Sequence, residues 1–155
     1  MKRVFQIGDS VAMQYAPYLQ ERLTGRIDLF RRGSLEEAQR NWDVPRGPNL
    51  GDSDSVRAIV SNAGLMAAAH ADAVLLNCGL HDIKTDPATG RRQVPVERYR
   101  ENLVAIAARL ADLRLPLLWV STTPCDEAVH NRPDMAFHRF AKDVADYNRV
   151  AEEVM

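Results

Sequence analysis

The side chain best placed to act as a nucleophile is Ser10, in the sequence Gly8-Asp9-Ser10. A short apolar run, Val4–Ile7, precedes it, and a helical pattern begins at Val11, so Ser10 is predicted at a turn between a strand and a helix. A helix N-terminus supplies backbone N–H groups and a dipole that stabilise negative charge developing on a substrate. A serine at such a turn is either a helix N-cap or a nucleophile, and the other polar residues of the chain bear on that choice.

Two further strand patterns also end in polar residues. The polar cluster Asn77–Asp82 begins at the last residue of the apolar run Ala73–Asn77. The polar cluster Thr122–Asp126 directly follows the apolar run Leu117–Ser121. The carboxyl ends of parallel strands meet at one edge of a sheet, where ligands bind in open α/β folds. We therefore expect Ser10 and both polar clusters to lie at the same edge.

The elements that must position these residues alternate along the chain. The apolar patterns predict strands at Val4–Ile7, Ile27–Phe30, Ala73–Asn77 and Leu117–Ser121, and helices at Val11–Leu23, from an Asp54-Ser55 cap to Ala67, at Val96–Leu113 and at Met135–Met155, with at most one helical turn at Leu35–Arg40. Continuous apolar strands that alternate with helices indicate a parallel sheet covered on both faces. The predicted fold is a flavodoxin-like three-layer α/β/α sandwich with a central parallel sheet.

Composition narrows the class of protein. The chain has 155 residues, of which 46% are hydrophobic and 26% charged, with a net charge of −1 and two cysteines. These values fit one globular domain and argue against a disordered chain, a disulfide-stapled protein and a basic nucleic-acid or membrane-binding surface. No apolar run reaches the roughly 18 residues of a membrane span, and the N-terminal run is too short for a signal peptide. We expect a cytoplasmic protein; its oligomeric state cannot be predicted.

The order of polar blocks resembles the SGNH hydrolases, also called the GDSL esterase/lipase family. Gly8-Asp9-Ser10 matches that family's nucleophile motif, and Gly79-Leu80-His81-Asp82 matches its Gly-x-Asn-Asp block with histidine in place of asparagine. A Gly-Leu-His-Asp form occurs in one branch of the family, which Tyr99–Leu103, Thr122–Pro124 and Tyr147–Ala151 also resemble. The resemblance covers nearly the whole chain and implies the SGNH hydrolase fold.

The resemblance implies a role for each block. Ser10 would attack an ester carbonyl and form an acyl-enzyme, and His81 would donate a hydrogen bond to the oxyanion or, alternatively, only shape its loop. Gly51 would supply a further oxyanion N–H, with Gly33 as the rival. Asp9 and Asp82 would bond backbone groups around the nucleophile turn. The second Gly-Asp-Ser, ending at Ser53, does not directly follow a strand and is interpreted as a helix cap.

The family takes its general base from an Asp-x-x-His block after a fifth strand, and this sequence has no such block. We therefore expect the 155 residues to be a C-terminally truncated domain that lacks its last βα unit, or a natural variant without the usual base. The leading hypothesis is a serine esterase that cleaves O-acetyl or other short-chain esters of a small molecule, carbohydrate or lipid. Hydrolysis is not distinguished from acyl transfer at this stage. The alternatives are a non-catalytic SGNH-like ligand-binding domain and a nucleotide-binding domain, which the missing Gly-rich phosphate loop disfavours.

The remaining reactive side chains have simpler interpretations. Cys78 and Cys125 are interpreted as small hydrophobic residues near the site. His81, Asp82, Asp126 and His130 offer zinc-ligand chemistry, but their spacing matches no zinc pattern. The sequence therefore predicts neither a metal nor a cofactor.

Overall fold

The computed structural model describes residues 1–155 and has a four-stranded parallel sheet with strand order β2-β1-β3-β4. The strands are β1 (Lys2–Ile7), β2 (Ile27–Phe30), β3 (Ala73–Leu76) and β4 (Leu117–Trp119). The helices are α1 (Ser10–Leu23), α2 (Leu35–Gln39), α3 (Ser53–Ser61), α4 (Ala63–Ala69), α5 (Val96–Asp112), α6 (Glu127–His130) and α7 (Ala141–Val154). The predicted α/β sandwich with a central parallel sheet is confirmed.

Successive side chains of β1 point to opposite faces of the sheet. Phe5 and Ile7 belong to a large hydrophobic cluster with the buried faces of α3, α5 and α7. Gln6 alternates with them, and its Nε2 donates to the Ala12 carbonyl of α1 at 3.1 Å. A smaller cluster joins α1 and α2 through Met13 and Ala38. Helices therefore flank both faces of the sheet, as a continuously apolar parallel strand requires.

Three predicted helix boundaries differ from the structure by two residues or more, and capping side chains set two of them. The N-cap of α3 is Asp52, whose Oδ1 accepts the Ser55 N–H at 3.0 Å, and not Asp54-Ser55 or Ser53. The single predicted helix ending at Ala67 is divided at Asn62, whose side chain caps α4 by accepting the Leu65 N–H at 2.9 Å. The last helix begins at Ala141 instead of Met135, because the preceding segment forms a bridge to the loop after β3.

The strand order reverses between β1 and β3, because β2 lies on one side of β1 and β3 on the other. Ligands of open α/β sheets bind at such a switch point, outside the carboxyl ends of the two strands. The Asn77 N–H donates to the Ile7 carbonyl at 3.1 Å, which brings the ends of these strands together. The first and second polar blocks of the sequence therefore lie side by side.

None of the helices combines the length and the apolar character that a membrane crossing needs.

Candidate functional site

Asp9 caps the helix that follows the turn at Gly8–Ser10, so the Ser10 hydroxyl is not used as the cap. Asp9 is the N-cap of α1, and its Oδ1 accepts the Val11 N–H at 2.9 Å. Ser10 is the first helical residue, only 6% exposed, and its backbone N–H belongs to the first turn, where a helix offers no internal acceptor. The simple interpretation of Ser10 as an N-cap is therefore wrong.

The close approach of the ends of β1 and β3 explains why residue 8 is a glycine and how the Asp9 side chain is held. A Cβ atom on Gly8 would lie 2.2 Å from Asn77 Oδ1 and 2.6 Å from the Ala12 Cβ, so no larger residue fits. Asn77 Nδ2 donates to Asp9 Oδ1 at 3.2 Å, and burial raises the pKa of Asp9 above its ordinary value. Asp9 bonds backbone groups of the turn, as predicted, and Asn77 fixes it from the neighbouring strand.

Gly51 lies against the same turn. The Leu50 N–H donates to the Gly8 carbonyl at 3.0 Å, which fastens this segment to the end of β1. Gly51 has a φ of +79°, and a Cβ atom there would lie 3.6 Å from His81 Nδ1. Its own N–H donates to Asn49 Oδ1 at 3.3 Å, a long bond that a stronger acceptor can replace.

The rival glycine lies elsewhere. Gly33 contacts Gly47 and Pro48, and lines a cavity of about 280 Å³ whose walls include Phe5 and Ile7. The structure therefore places Gly51, and not Gly33, beside His81.

His81 is fully buried, and neither ring nitrogen has a hydrogen-bond partner in the protein. Burial lowers its pKa to about 4, and the positive charges of Lys84 and Arg139 act in the same direction. The ring is therefore neutral at pH 7 and carries one N–H donor. A buried polar group without a hydrogen-bond partner costs about 1–3 kcal/mol of stability. A ligand that hydrogen-bonds to the His81 ring would remove this cost.

Asp82 does not bond the nucleophile turn, and that prediction is wrong. Its carboxylate accepts the Ser53 backbone N–H at 3.0 Å and also the Ser53 hydroxyl, because it faces the first turn of α3. Asn102 Nδ2 donates to Ser53 Oγ at 2.9 Å and extends the network to α5. Burial raises the pKa of Asp82 to about 7. Asp82 therefore ties the loop that holds His81 to the helix that follows Gly51.

None of the four histidines hydrogen-bonds to Ser10. His130 Nδ1 lies 3.3 Å from Arg139 Nη1, a permanent donor. The neutral His130 ring therefore carries its proton on Nε2, which leaves neither nitrogen free to accept a proton from a serine. His70 is the C-cap of α4, which precedes β3, so it lies at the opposite edge of the sheet.

The two cysteines are close to the site but are not placed as nucleophiles. Cys78 is fully buried, and burial raises the pKa of its thiol well above the ordinary value. Cys125 is partly buried against the large hydrophobic cluster. No three His, Cys, Asp or Glu side chains are arranged to hold a metal ion.

Sequence patterns missed the supporting residues of the site. Asn49 is buried, and its Nδ2 donates to the Trp42 carbonyl at 3.1 Å, which fixes the loop before Gly51. Arg139 is only 3% exposed, and its Nε donates to the Leu80 carbonyl at 2.9 Å. An asparagine in a loop and an arginine inside a predicted helix both resemble ordinary solvated residues, so one sequence alone does not single them out.

One comparison with a solved structure supports the fold. The psychrotrophic esterase EstA from Pseudoalteromonas sp., in a structure inhibited by monoethylphosphonate, superposes with a TM-score of 0.61 at 14% identity, over 99% of this chain and 74% of the esterase. A proposed arylesterase from Agrobacterium tumefaciens matches over 100% of both chains at 14% identity, but its TM-score of 0.36 is too low to support an inference. No family model and no curated protein match the chain. The chain therefore has the α/β sandwich fold of a known esterase.

Proposed function

We propose that residues 1–155 form one domain of SGNH hydrolase type, and that Ser10 is the nucleophile of a serine esterase acting on O-acetyl or other short-chain esters. The observation that carries the proposal is that Gly51 lies beside His81, on a segment whose Leu50 N–H bonds to the Gly8 carbonyl two residues before Ser10, next to the switch point between β1 and β3. The structural likeness to the esterase EstA supports it.

The reaction would proceed through an acyl-serine. Ser10 Oγ forms a bond to the ester carbonyl carbon as its proton passes to a base, and the carbonyl oxygen becomes an oxyanion. Collapse of this intermediate expels the alcohol, which takes up a proton, and leaves the acyl group on Ser10. Water then attacks the acyl carbon, releases the carboxylic acid and restores the serine. An alcohol in place of water would give acyl transfer.

Three donors are available for the oxyanion. The Ser10 N–H lies in the first turn of α1, where the helix dipole also favours negative charge. The Gly51 N–H would exchange its long bond to Asn49 for one to the oxyanion. His81, neutral and without a partner, would donate its single N–H, and the loss of one such donor costs about 3–4 kcal/mol of barrier.

The base must be a group that reaches the Ser10 hydroxyl. Arg139 donates to His130 Nδ1, so the His130 ring has no free nitrogen lone pair with which to act as the base. His81 is assigned to the oxyanion. No histidine within residues 1–155 hydrogen-bonds to Ser10, so the proposal is tested on the full encoded protein.

Hydrolysis of 4-nitrophenyl acetate tests the proposal. The full encoded protein should turn over this ester, and Ser10→Ala should lower kcat by at least about 1,000-fold, as removal of a serine nucleophile does. Ser61→Ala, at the exposed end of α3, is the matched control and should retain wild-type turnover. Equal activity of Ser10→Ala and wild type would refute the assignment of the nucleophile.

A second candidate is a ligand-binding domain that keeps the site without catalysis. The absence of any histidine bonded to Ser10 favours it. This alternative predicts that the full encoded protein binds a non-hydrolysable ester analogue in calorimetry but never turns over an ester. Turnover that depends on Ser10 would exclude it.

A further inference from the structure

Two buried cations lie next to His81 and are not part of the proposed reaction. Lys84 is 8% exposed and Arg139 is 3% exposed. Lys84 donates its backbone N–H to the His81 carbonyl at 3.2 Å, and Arg139 Nε donates to the carbonyl of Leu80, the residue before His81. Both cations are therefore fastened to the strand end that carries His81.

The same aromatic ring holds both side chains. Lys84 Nζ lies 4.4 Å from the centre of the Phe137 ring, and the Arg139 guanidinium carbon lies 4.7 Å from it. Like charges so close together repel, and burial removes the water that would screen them. Burial is the main cause that lowers the pKa of Lys84, to about 8, and the charge of Arg139 adds to it.

One carboxylate makes an ion pair with these cations. Asp43, whose side chain is 49% exposed, has its Oδ1 3.6 Å from Arg139 Nη2. Lys84 Nζ donates to the Asp43 backbone carbonyl at 2.7 Å, which leaves two of its three N–H groups available. Asp43 is therefore the one carboxylate in ion-pair contact with these cations, while the charges of Asp9 and Asp52 act on Lys84 from further away.

Of the two cations, Lys84 lines an open cleft, and the buried Arg139 lies beside it on the same Phe137 ring. Lys84, Asp43 and Phe137 line a cleft of about 530 Å³ between the loops that follow β2, β3 and β4. The charge of Arg139 reaches Asp9 in the nucleophile turn, and the charges of both cations reach His81, whose two ring nitrogens lack partners.

We propose that Lys84 and Arg139 form an anion subsite, and that the ester substrate carries a carboxylate or phosphate group that this subsite binds. A ligand anion in the cleft would accept hydrogen bonds from the two free N–H groups of Lys84, and the nearby charge of Arg139 would attract it. That the bound anion is part of a substrate rests on the proposed esterase function. The anion subsite itself rests on the positions of Lys84 and Arg139.

Three acetyl esters of similar phenols test the preference: 4-acetoxybenzoate, 4-acetoxyphenyl phosphate, and the neutral methyl 4-acetoxybenzoate. Acetate release by the full encoded protein should give a kcat/KM for at least one anionic ester about tenfold or more above that of the neutral ester, as a charge-assisted hydrogen bond provides. The better anion identifies whether the natural group is a carboxylate or a phosphate. In Lys84→Met this preference should fall to within about threefold. Lys142→Met, which removes an 81% exposed lysine side chain, is the control and should keep it.

Two further measurements keep the test decisive. If Lys84→Met does not fold, 0.5 M NaCl should weaken the wild-type preference, because salt screens the attraction. If no ester is hydrolysed, calorimetry with 4-hydroxybenzoate and inorganic phosphate tests the subsite alone. Binding of either anion that Lys84→Met weakens about tenfold would then support the subsite while the esterase proposal fails. Equal kcat/KM for charged and neutral esters, or anion binding unchanged in Lys84→Met, would overturn the inference.

Discussion

Substitution of Gly51 by alanine separates the oxyanion role of this residue from its backbone conformation. Gly51, Gly33 and Gly25 have similar positive φ values of +79°, +82° and +76°. Alanine in this left-handed region costs about 1–2 kcal/mol at each of the three positions. The three variants therefore share one conformational penalty and differ in their surroundings.

The surroundings set the magnitude of the effect. A Cβ atom on Gly25 meets no atom within 4 Å, whereas one on Gly51 would lie 2.5 Å from Pro45 Cγ. Carbon atoms in contact are about 3.5–4.0 Å apart, so the Gly51 segment must move by about 1 Å. A displacement of about 1 Å at a reacting centre lowers a rate by about 100-fold. We expect Gly51→Ala to lower kcat by about 100-fold with little change in KM, because the donor acts on the oxyanion and not on the bound ester.

The assay compares steady-state ester hydrolysis with urea unfolding for the same variants of the full encoded protein. Gly25→Ala should lose about 1–2 kcal/mol of stability and keep its kcat. Gly33→Ala meets the Gly47 backbone at 3.1 Å and should lose stability without the 100-fold loss of kcat. A kcat of Gly51→Ala within about threefold of that of Gly25→Ala, or a larger kcat loss in Gly33→Ala, would refute the assignment of Gly51.

Three further outcomes follow from the buried polar groups. Asn77→Ala removes the bond to Asp9 and should lower the unfolding free energy by about 1–3 kcal/mol in urea titration; no loss would show that the two strand ends are fixed without it. The pKa of Asp82 is raised to about 7, so between pH 4 and pH 7 its proton is held in the folded state and released on unfolding. From pH 5 to pH 8 the unfolding free energy of the wild type should therefore fall by about 3 kcal/mol relative to that of Asp82→Asn, a comparison in which the opposite contributions of His81 and Lys84 cancel; parallel pH profiles of the two proteins would contradict this assignment. His81→Ala should lower kcat by about 100-fold while His81→Asn, which keeps an N–H donor, should restore most of it; equal losses would exclude a donor role.

The pattern of apolar runs was sufficient for the sheet but not for the helix ends. Strand β2 was predicted at the residues where it lies, because Ile27–Phe30 is a short apolar run between clear breaks. The starts of α3 and α4 depend on which of several possible capping side chains accepts the free N–H groups, and Asp52 and Asn62 are the residues that do so. Such a choice is not encoded in local periodicity.

The candidate site divides in a similar way. Ser10 and His81 belong to motifs, so one sequence indicated them, whereas the contact of Gly51 with His81 depends on how a long loop returns to the end of β1. The burial of Lys84 and Arg139 has no signal in the sequence, because charged residues are ordinarily solvated. Contacts between residues far apart in the sequence determine both the position of Gly51 and the burial of the two cations. Local sequence patterns do not predict such contacts.

The central claim is that Ser10 forms a covalent acyl intermediate. The full encoded protein would be treated with a fluorophosphonate, and the modified peptide would be identified by mass spectrometry. The account predicts one adduct, on Ser10, that is absent in Ser10→Ala and present in Ser61→Ala. An adduct on another residue, or equal labelling of Ser10→Ala, would contradict it.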